Sequence, residues 1–268
     1  EYDKVDIVAH SMGGLVMSGY VSKFGTENIN KIITVGTPYE GAPKLENSVL
    51  TKEVLDNSFK NYFFNKGLFL LGLNTSLKAS FPALAELAPT RMYFDEKEKK
   101  FMKYTGEGIF AYLDYEGYRE INDRIFGINN QNAINFHNSI KDATGLNVLL
   151  GMENSYFAVG INQKTIDGIV FNLQGTSDIK VWSVRYDTNG DGTVPYESAT
   201  MIQQLESLPK ERVGYFDTTH TGLVQYGNKD NIEGTKAVNW ILDILSFGES
   251  DITNDVIEKK DYIVIRVA

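Results

Sequence analysis

The strongest constraint on this chain is its opening run, Lys4-Val5-Asp6-Ile7-Val8-Ala9-His10-Ser11-Met12-Gly13-Gly14, an apolar strand that ends in a small-x-Ser-x-Gly turn and continues as a helix. A serine carried on so sharp a strand-to-helix turn needs small neighbours, because the backbone folds back on itself there. Ala9 and Gly13 are those neighbours. The helix beyond Ser11 turns its free N–H groups and positive dipole end toward the serine, where they can stabilise an oxyanion. The chain must therefore build a sheet around a strand whose C-terminal end displays a hydroxyl, a candidate acyl acceptor.

The motif stands at the very start of the chain. In folds built on such an elbow several strands precede the serine, and the loop after one of them supplies a second oxyanion donor. The expectation is a catalytic domain entered partway, without its first strands. Losing one oxyanion donor costs roughly 100-fold to 1000-fold in rate, so this piece alone is expected to be a poor catalyst.

The 268 residues, 42% of them hydrophobic, suffice for one good core and are marginal for two, which suits one catalytic domain with an insertion. A charged fraction of 23%, with 15 Tyr and 15 Phe, excludes disordered and fibrous classes. The net charge of -9 disfavours nucleic acid and anionic membrane surfaces as partners. Without cysteine there are no disulfides, thiolate metal sites or cysteine nucleophiles. The longest apolar run, Gly67 to Leu73, falls short of the roughly 18 residues of a membrane span.

After the helix that ends near Phe24 comes Lys31-Ile32-Ile33-Thr34-Val35-Gly36, a β-branched run read as the next parallel strand. Two continuous apolar strands joined by a helix form a right-handed crossover in a sheet covered on both faces. The loop Gly36-Thr37-Pro38-Tyr39-Glu40-Gly41-Ala42-Pro43 follows at the same edge as the serine. From about Glu46 to Leu150 the pattern turns helical, and a mainly helical cap insertion is expected, with helices at Val49 to Asn57, Pro82 to Leu87, Tyr118 to Phe126 and Ala133 to Lys141. The apolar side chains between Phe59 and Leu71 either pack that cap or line an acyl-chain groove, with Tyr39, Phe69 and Leu70 as candidate lining residues. Core strands return at Tyr156 to Gly160 and Lys180 to Val184, with a hairpin expected around Asp167-Gly168. Val213 to Phe216 reads as a further strand and Thr235 to Phe247 as an amphipathic closing helix. The catalytic domain thus spans residues 1–248, and 249–268 reads as a linker running into a strand, Tyr262 to Val267, that opens a further domain.

An elbow serine needs a base to take its proton and a carboxylate to orient that base. Of the three histidines, His10 is adjacent to Ser11, so its side chain diverges from the serine, and His137 lies in a cap helix. His220, in Asp217-Thr218-Thr219-His220-Thr221-Gly222 after the last strand, is the candidate base. For the acid, Tyr186-Asp187-Thr188-Asn189-Gly190-Asp191-Gly192-Thr193-Val194-Pro195 holds two aspartates. Asp191, flanked by glycines that let the loop turn tightly, is preferred, and Asp187 is the reserve. The same loop imitates the first half of a D-x-N-x-D-G calcium site, but its twelfth position is Ser198 rather than a bidentate glutamate, so no metal is expected.

Together, Val8-Ala9-His10-Ser11-Met12-Gly13-Gly14, Gly36-Thr37-Pro38 with Gly41-Ala42-Pro43, Phe81 to Pro89, Tyr156 to Gly160 with Thr165, Gly190 to Pro195, and His220 resemble one family, the lecithin:cholesterol acyltransferase-like α/β-hydrolases. The resemblance spans most of Val5 to Phe247 and is weakest in mid-cap. It implies an α/β-hydrolase fold, a mostly parallel sheet with helices on both faces, and a serine acyl-enzyme acting on lipid-like esters. In that scheme His220 deprotonates Ser11, Asp191 orients His220, and the Met12 backbone N–H donates to the oxyanion. No cofactor is implied; the partners are a lipid or other acyl-ester substrate and the preceding part of the same protein. The expected activity is an O-acyltransferase or esterase of lipid metabolism. The alternatives are a lipase or small-ester hydrolase without transferase activity, and a non-catalytic hydrolase-like binding module.

Overall fold

Along the chain, the computed structural model describes residues 3–51, 82–97, 102–105, 109–174 and 178–246. Its elements are β1 (Val5–His10), α1 (Gly13–Phe24), β2 (Ile29–Val35), α2 (Pro43–Thr51), α3 (Pro82–Glu86), α4 (Arg91–Glu96), β3 (Met102–Thr105), β4 (Ile109–Tyr112), α5 (Tyr115–Phe126) and α6 (Ile128–Ser139). They continue with β5 (Ser155–Gly160), β6 (Thr165–Gln174), β7 (Asp178–Asp187), α7 (Tyr196–Ala199), β8 (Val213–Phe216) and α8 (Ile232–Ser246).

One sheet has the order β1-β2-β5-β8, and its three pairings are parallel. Its central strands are continuous apolar runs because both faces are covered. Alternate residues part cleanly: Ile32, Phe157 and Val159 face the cluster that includes Leu15 and Met17 of α1, while Ile33, Val35 and Ala158 face Ala237, Ile241 and Ile244 of α8. A one-residue slip in either strand would exchange those two sets. The register therefore fixes where each strand ends, and with it the positions of the residues that follow.

A second sheet, β4-β3-β6-β7, pairs β3 with β4 and β6 with β7 antiparallel and β3 with β6 parallel. Ile169 and Phe171 of β6 pack with Tyr93 and Phe94 of α4 and with Tyr118, Ile121 and Ile125 of α5. The stretch that reads as helical thus also supplies β3 and β4, each of four residues and too short to display a period of two.

The Asp167-Gly168 turn expected from sequence is not a turn. β6 runs straight through it, with a register shift between Ile166 and Gly168. Arg185, across the ladder, bonds the Asp167 carboxylate through Nε at 2.9 Å, and a Cβ on Gly168 would lie 2.6 Å from its Nη2. Glycine is there to admit the arginine, and the dipeptide is a bulge held by a cross-strand ion pair.

Helix boundaries follow local chemistry. α2 begins at Pro43, where a missing N–H costs nothing. α5 is capped by Asp114, whose carboxylate accepts from Gly117 N at 2.8 Å, and α5 breaks from α6 at Gly127, with φ of 59°. α8 starts three residues before its expected position because Asn231 caps it, accepting from Gly234 N at 2.9 Å. Phe59 to Leu71, including Phe69 and Leu70, the end of the Val49 to Asn57 helix, and the Tyr262 to Val267 strand lie outside the described residues. Among the described residues no helix is long and apolar enough to cross a membrane.

Candidate active site

Ser11 follows β1 with φ of 58°, a left-handed conformation that a residue with a side chain adopts at a cost of order 1–3 kcal/mol. Its N–H still donates to Val35 O at 2.8 Å, while its carbonyl already accepts from Gly14 N at 3.1 Å. The residue belongs to the sheet on one side and to the helix on the other. That double membership is what turns its Oγ outward at the strand end.

His220 arrives from β8, its N–H donating to Asp191 O at 2.7 Å. Its Nε2 lies 2.9 Å from Ser11 Oγ and its Nδ1 2.7 Å from Asp191 Oδ2. A carboxylate only accepts, so Nδ1 carries the proton and Nε2 presents its lone pair to the Ser11 hydroxyl. Asp191 is 1% exposed and His220 6%, which keeps water from competing for these bonds. The other oxygen of Asp191 accepts from Thr193 N at 2.9 Å and Val194 N at 2.6 Å. The loop's own backbone thus aims the carboxylate at the imidazole.

Two strand-end glycines make room for this. A Cβ on Gly36, after β2, would sit 3.1 Å from His220 Nδ1 and 3.2 Å from Asp191 Oδ2. One on Gly160, the last residue of β5, would sit 2.5 Å from Asp191 Cβ. The signal for both was present in sequence as a glycine closing an apolar strand.

Of the remaining candidates, the Met12 N–H makes no hydrogen bond among the described residues and stands at the start of α1 beside Ser11. Asp187 faces elsewhere: one oxygen accepts from Asn189 N at 3.1 Å and the other lies 3.4 Å from Lys97 Nζ. Burial works to raise its pKa, but those partners outweigh it and hold the carboxyl below its usual range. The two aspartates of the loop therefore serve different neighbours. Tyr39 does not line a groove. It is 2% exposed, its hydroxyl donates to Thr34 Oγ1 at 2.8 Å, its ring lies 6.2 Å from Phe157, and burial pushes its pKa up. A hydroxyl satisfied inside the core keeps the ring there.

His137 donates through Nε2 to Glu86 O at 2.7 Å, and burial lowers its pKa. It joins α6 to α3 and plays no part at Ser11. His10 is nearer than sequence suggests: its Nε2 donates to His220 O at 3.0 Å and its ring centroid lies 4.7 Å from that of His220. It packs behind His220 and makes that hydrogen bond to the His220 backbone rather than to Ser11. Sequence reasoning also passed over Lys44, 5% exposed at the start of α2, which donates to Gly192 O at 2.8 Å in the loop that carries Asp191.

Residues 1–67 match the model of a family described as a PGAP1-like alpha/beta domain. Over 65 residues the chain is 37% identical to phospholipase A(1) LCAT3 of Arabidopsis thaliana, covering 23% of this chain and 14% of that protein. In overall fold it is similar to the crystal structure of a Tle4–Tli4 complex, with a TM-score of 0.57 at 13% identity, covering 93% of this chain and 61% of that one. At that identity the likeness is one of fold alone.

Proposed function

We propose, for a chain that has the α/β-hydrolase fold and whose opening segment is similar to a phospholipase, that it is a serine acyl hydrolase of lipid esters working through an acyl-enzyme. The observation that carries the reading is the contact chain Ser11 Oγ to His220 Nε2 at 2.9 Å and His220 Nδ1 to Asp191 Oδ2 at 2.7 Å, mounted on a strand-to-helix turn. Those are the distances over which a hydroxyl proton passes to a base.

In this mechanism Ser11 Oγ attacks the ester carbonyl carbon while its proton passes to His220 Nε2. The carbonyl electron pair moves onto oxygen, and the Met12 N–H stabilises that oxyanion. Asp191, still ionised, stabilises the imidazolium. Collapse of the intermediate breaks the ester C–O bond, and His220 returns its proton to the departing alcohol. Water then attacks the acyl-enzyme carbonyl carbon while His220 takes its proton; collapse breaks the acyl–Oγ bond, His220 returns the proton to Ser11 Oγ, and the free acid departs. An alcohol in place of water would yield a transferred ester by the same steps. His10 keeps the His220 carbonyl, and so the ring, in register throughout.

The test is a fluorophosphonate probe together with phospholipid vesicles, offered with and without a sterol. The expected result is covalent labelling at Ser11 and release of free fatty acid, both lost in Ser11→Ala, whose turnover falls by roughly a million-fold. Steryl ester in the sterol arm would make transfer part of the activity. A wild-type protein that takes no label, or labelling that survives Ser11→Ala, refutes the assignment.

A further inference from the structure

Lys97 follows α4 and is 4% exposed, yet it ends among three carboxylates. Its Nζ lies 2.5 Å from Glu197 Oε1, 3.4 Å from Asp187 Oδ2 and 3.5 Å from Asp167 Oδ2. Asp187 closes β7 and Glu197 lies in α7, so the two bracket the loop that carries Asp191. Asp167 is also bonded by Arg185, and its backbone oxygen accepts from the Tyr93 hydroxyl at 2.9 Å; the Tyr93 ring lies 6.0 Å from Nζ. The cluster thus sets two cations against three anions.

Such a cluster is a poor device for stability alone, since desolvating buried charges offsets most of their attraction. It is a good device for position. Without the ammonium, Asp187 and Glu197 would face each other as like charges at the two ends of one loop, and the least costly response is for the ends to part. Burial works to lower the lysine pKa, but the carboxylates outweigh it and hold the pKa above its ordinary value, so the clamp stays charged through the working range.

Resting on the catalytic reading above, we infer that Lys97 is a positioning residue: by tying both ends of the Asp187-to-Glu197 loop to α4, it holds Asp191 within hydrogen-bond reach of His220. It acts from the part of the chain between α2 and β5, outside the sheet that carries Ser11 and His220. Lys44 holds the middle of the same loop at Gly192, so the loop is pinned at three points by two buried lysines. Loss of the Lys97 clamp should slacken the Asp191 contact without touching Ser11 or its helix.

The experiment compares the intact protein with Lys97→Met and Lys97→Arg, reading the rate of fluorophosphonate labelling of Ser11 across pH, kcat and KM on a short-chain ester, and far-ultraviolet circular dichroism. In Lys97→Met, labelling and kcat should fall by about 10-fold to 100-fold, as for a misplacement near 1 Å, with KM nearly unchanged. The acidic limb of the pH profile should move to lower pH. The titratable groups facing His220 are Asp191 and His10, and an imidazolium less closely paired with Asp191 is less stabilised. Lys97→Arg should restore most of the rate. In an Asp191→Asn background Lys97→Met should cause no further loss, because its route to Ser11 is already cut.

Should Lys97→Met not fold, Glu197→Gln unties one end of the loop while leaving Lys97 with Asp167 and Asp187. It should keep the wild-type spectrum and lose about 5-fold to 10-fold in labelling rate. Equal labelling by folded wild type and Lys97→Met, a full additional loss in the Asp191→Asn background, or wild-type labelling by Glu197→Gln would each overturn the positioning role. In all three cases wild type still labels at Ser11, so the serine hydrolase reading stands. An unlabelled wild type overturns both.

Discussion

Gly160→Ala tests the site by adding one methyl group. The new Cβ would lie 2.5 Å from Asp191 Cβ and 3.0 Å from Thr218 O, where ordinary contact begins at 3.4 Å. Strand β5 cannot yield, since it is hydrogen-bonded to β2 on one side and β8 on the other. The loop bearing Asp191 must therefore move by about 1 Å, stretching its 2.7 Å bond to His220 Nδ1 to roughly 3.5 Å, beyond the useful range of an N–H···O bond. The expected kinetic cost is about 100-fold in kcat. Overpacking adds about 1–3 kcal/mol of destabilisation, which lowers Tm by several degrees. The assay pairs kcat on a soluble ester, measured well below Tm, with thermal unfolding followed by circular dichroism. Gly151→Ala is the control, because its nearest neighbour would be Val148 O at an unstrained 3.7 Å. A Gly160→Ala protein with wild-type kcat and a lowered Tm would refute the argument, since the crowding would then be real and the placement of Asp191 irrelevant.

Three further outcomes follow from the same geometry. Asp191→Asn should lower kcat by about 10⁴-fold by favouring the wrong histidine tautomer, whereas Asp187→Asn should lose less than about 10-fold; the reverse ranking would transfer the acid role to Asp187. Glu46, 2% exposed and accepting from the Tyr118 hydroxyl at 2.8 Å, has its pKa pushed up to about 8 by burial. A carboxyl whose folded pKa exceeds its unfolded value of about 4.3 contributes stability that is full below that value and lost as pH rises through about 8. Urea unfolding should show Glu46→Gln gaining on wild type between pH 5 and 9, and a constant difference would contradict the buried neutral acid. Arg212 donates to Ser155 O at 2.9 Å and Met152 O at 2.7 Å, at the end of β5 remote from Ser11. Arg212→Met should cost about 3 kcal/mol, seen as a lower Tm, with kcat on a short ester unchanged.

What could be read from sequence was what each residue decides locally. The serine turn announces itself because a side chain at positive φ needs small neighbours, and Ala9 and Gly13 supply them. The central strands β2 and β5 announce themselves because burial on both faces leaves little polar alternation to obscure them. What composition along the chain does not show is which side chains meet. Asp167-Gly168 has the composition of a turn, and only Arg185, eighteen positions on, makes it a bulge. Tyr39 sits in a loop beside the serine, but Thr34 captures its hydroxyl in the core. His10 adjoins Ser11 in sequence, and only the return of the chain at His220 gives its ring the neighbour it packs against.

Which aspartate meets His220 is hidden from a local reading for a topological reason. Ser11 and His220 stand beyond the ends of β1 and β8, strands of one sheet. Asp191 does not, because after Gly160 the chain leaves that sheet, runs out along β6 and back along β7, and only then returns to the strand ends. The Gln163 N–H donates to Gly190 O at 2.9 Å where the departing and returning segments meet. Whether Asp187 or Asp191 reaches the histidine thus depends on where β7 stops, which its pairing with β6 and the Lys97 cluster decide. Asp187 is held in the second sheet by its pairing with Thr165 and by Lys97, so the next aspartate is the first one free to turn toward His220. On the proposed mechanism the second sheet thereby positions Asp191, and shortening the β6–β7 ladder by one residue pair should lower kcat on a short-chain ester as a substitution of Asp191 does.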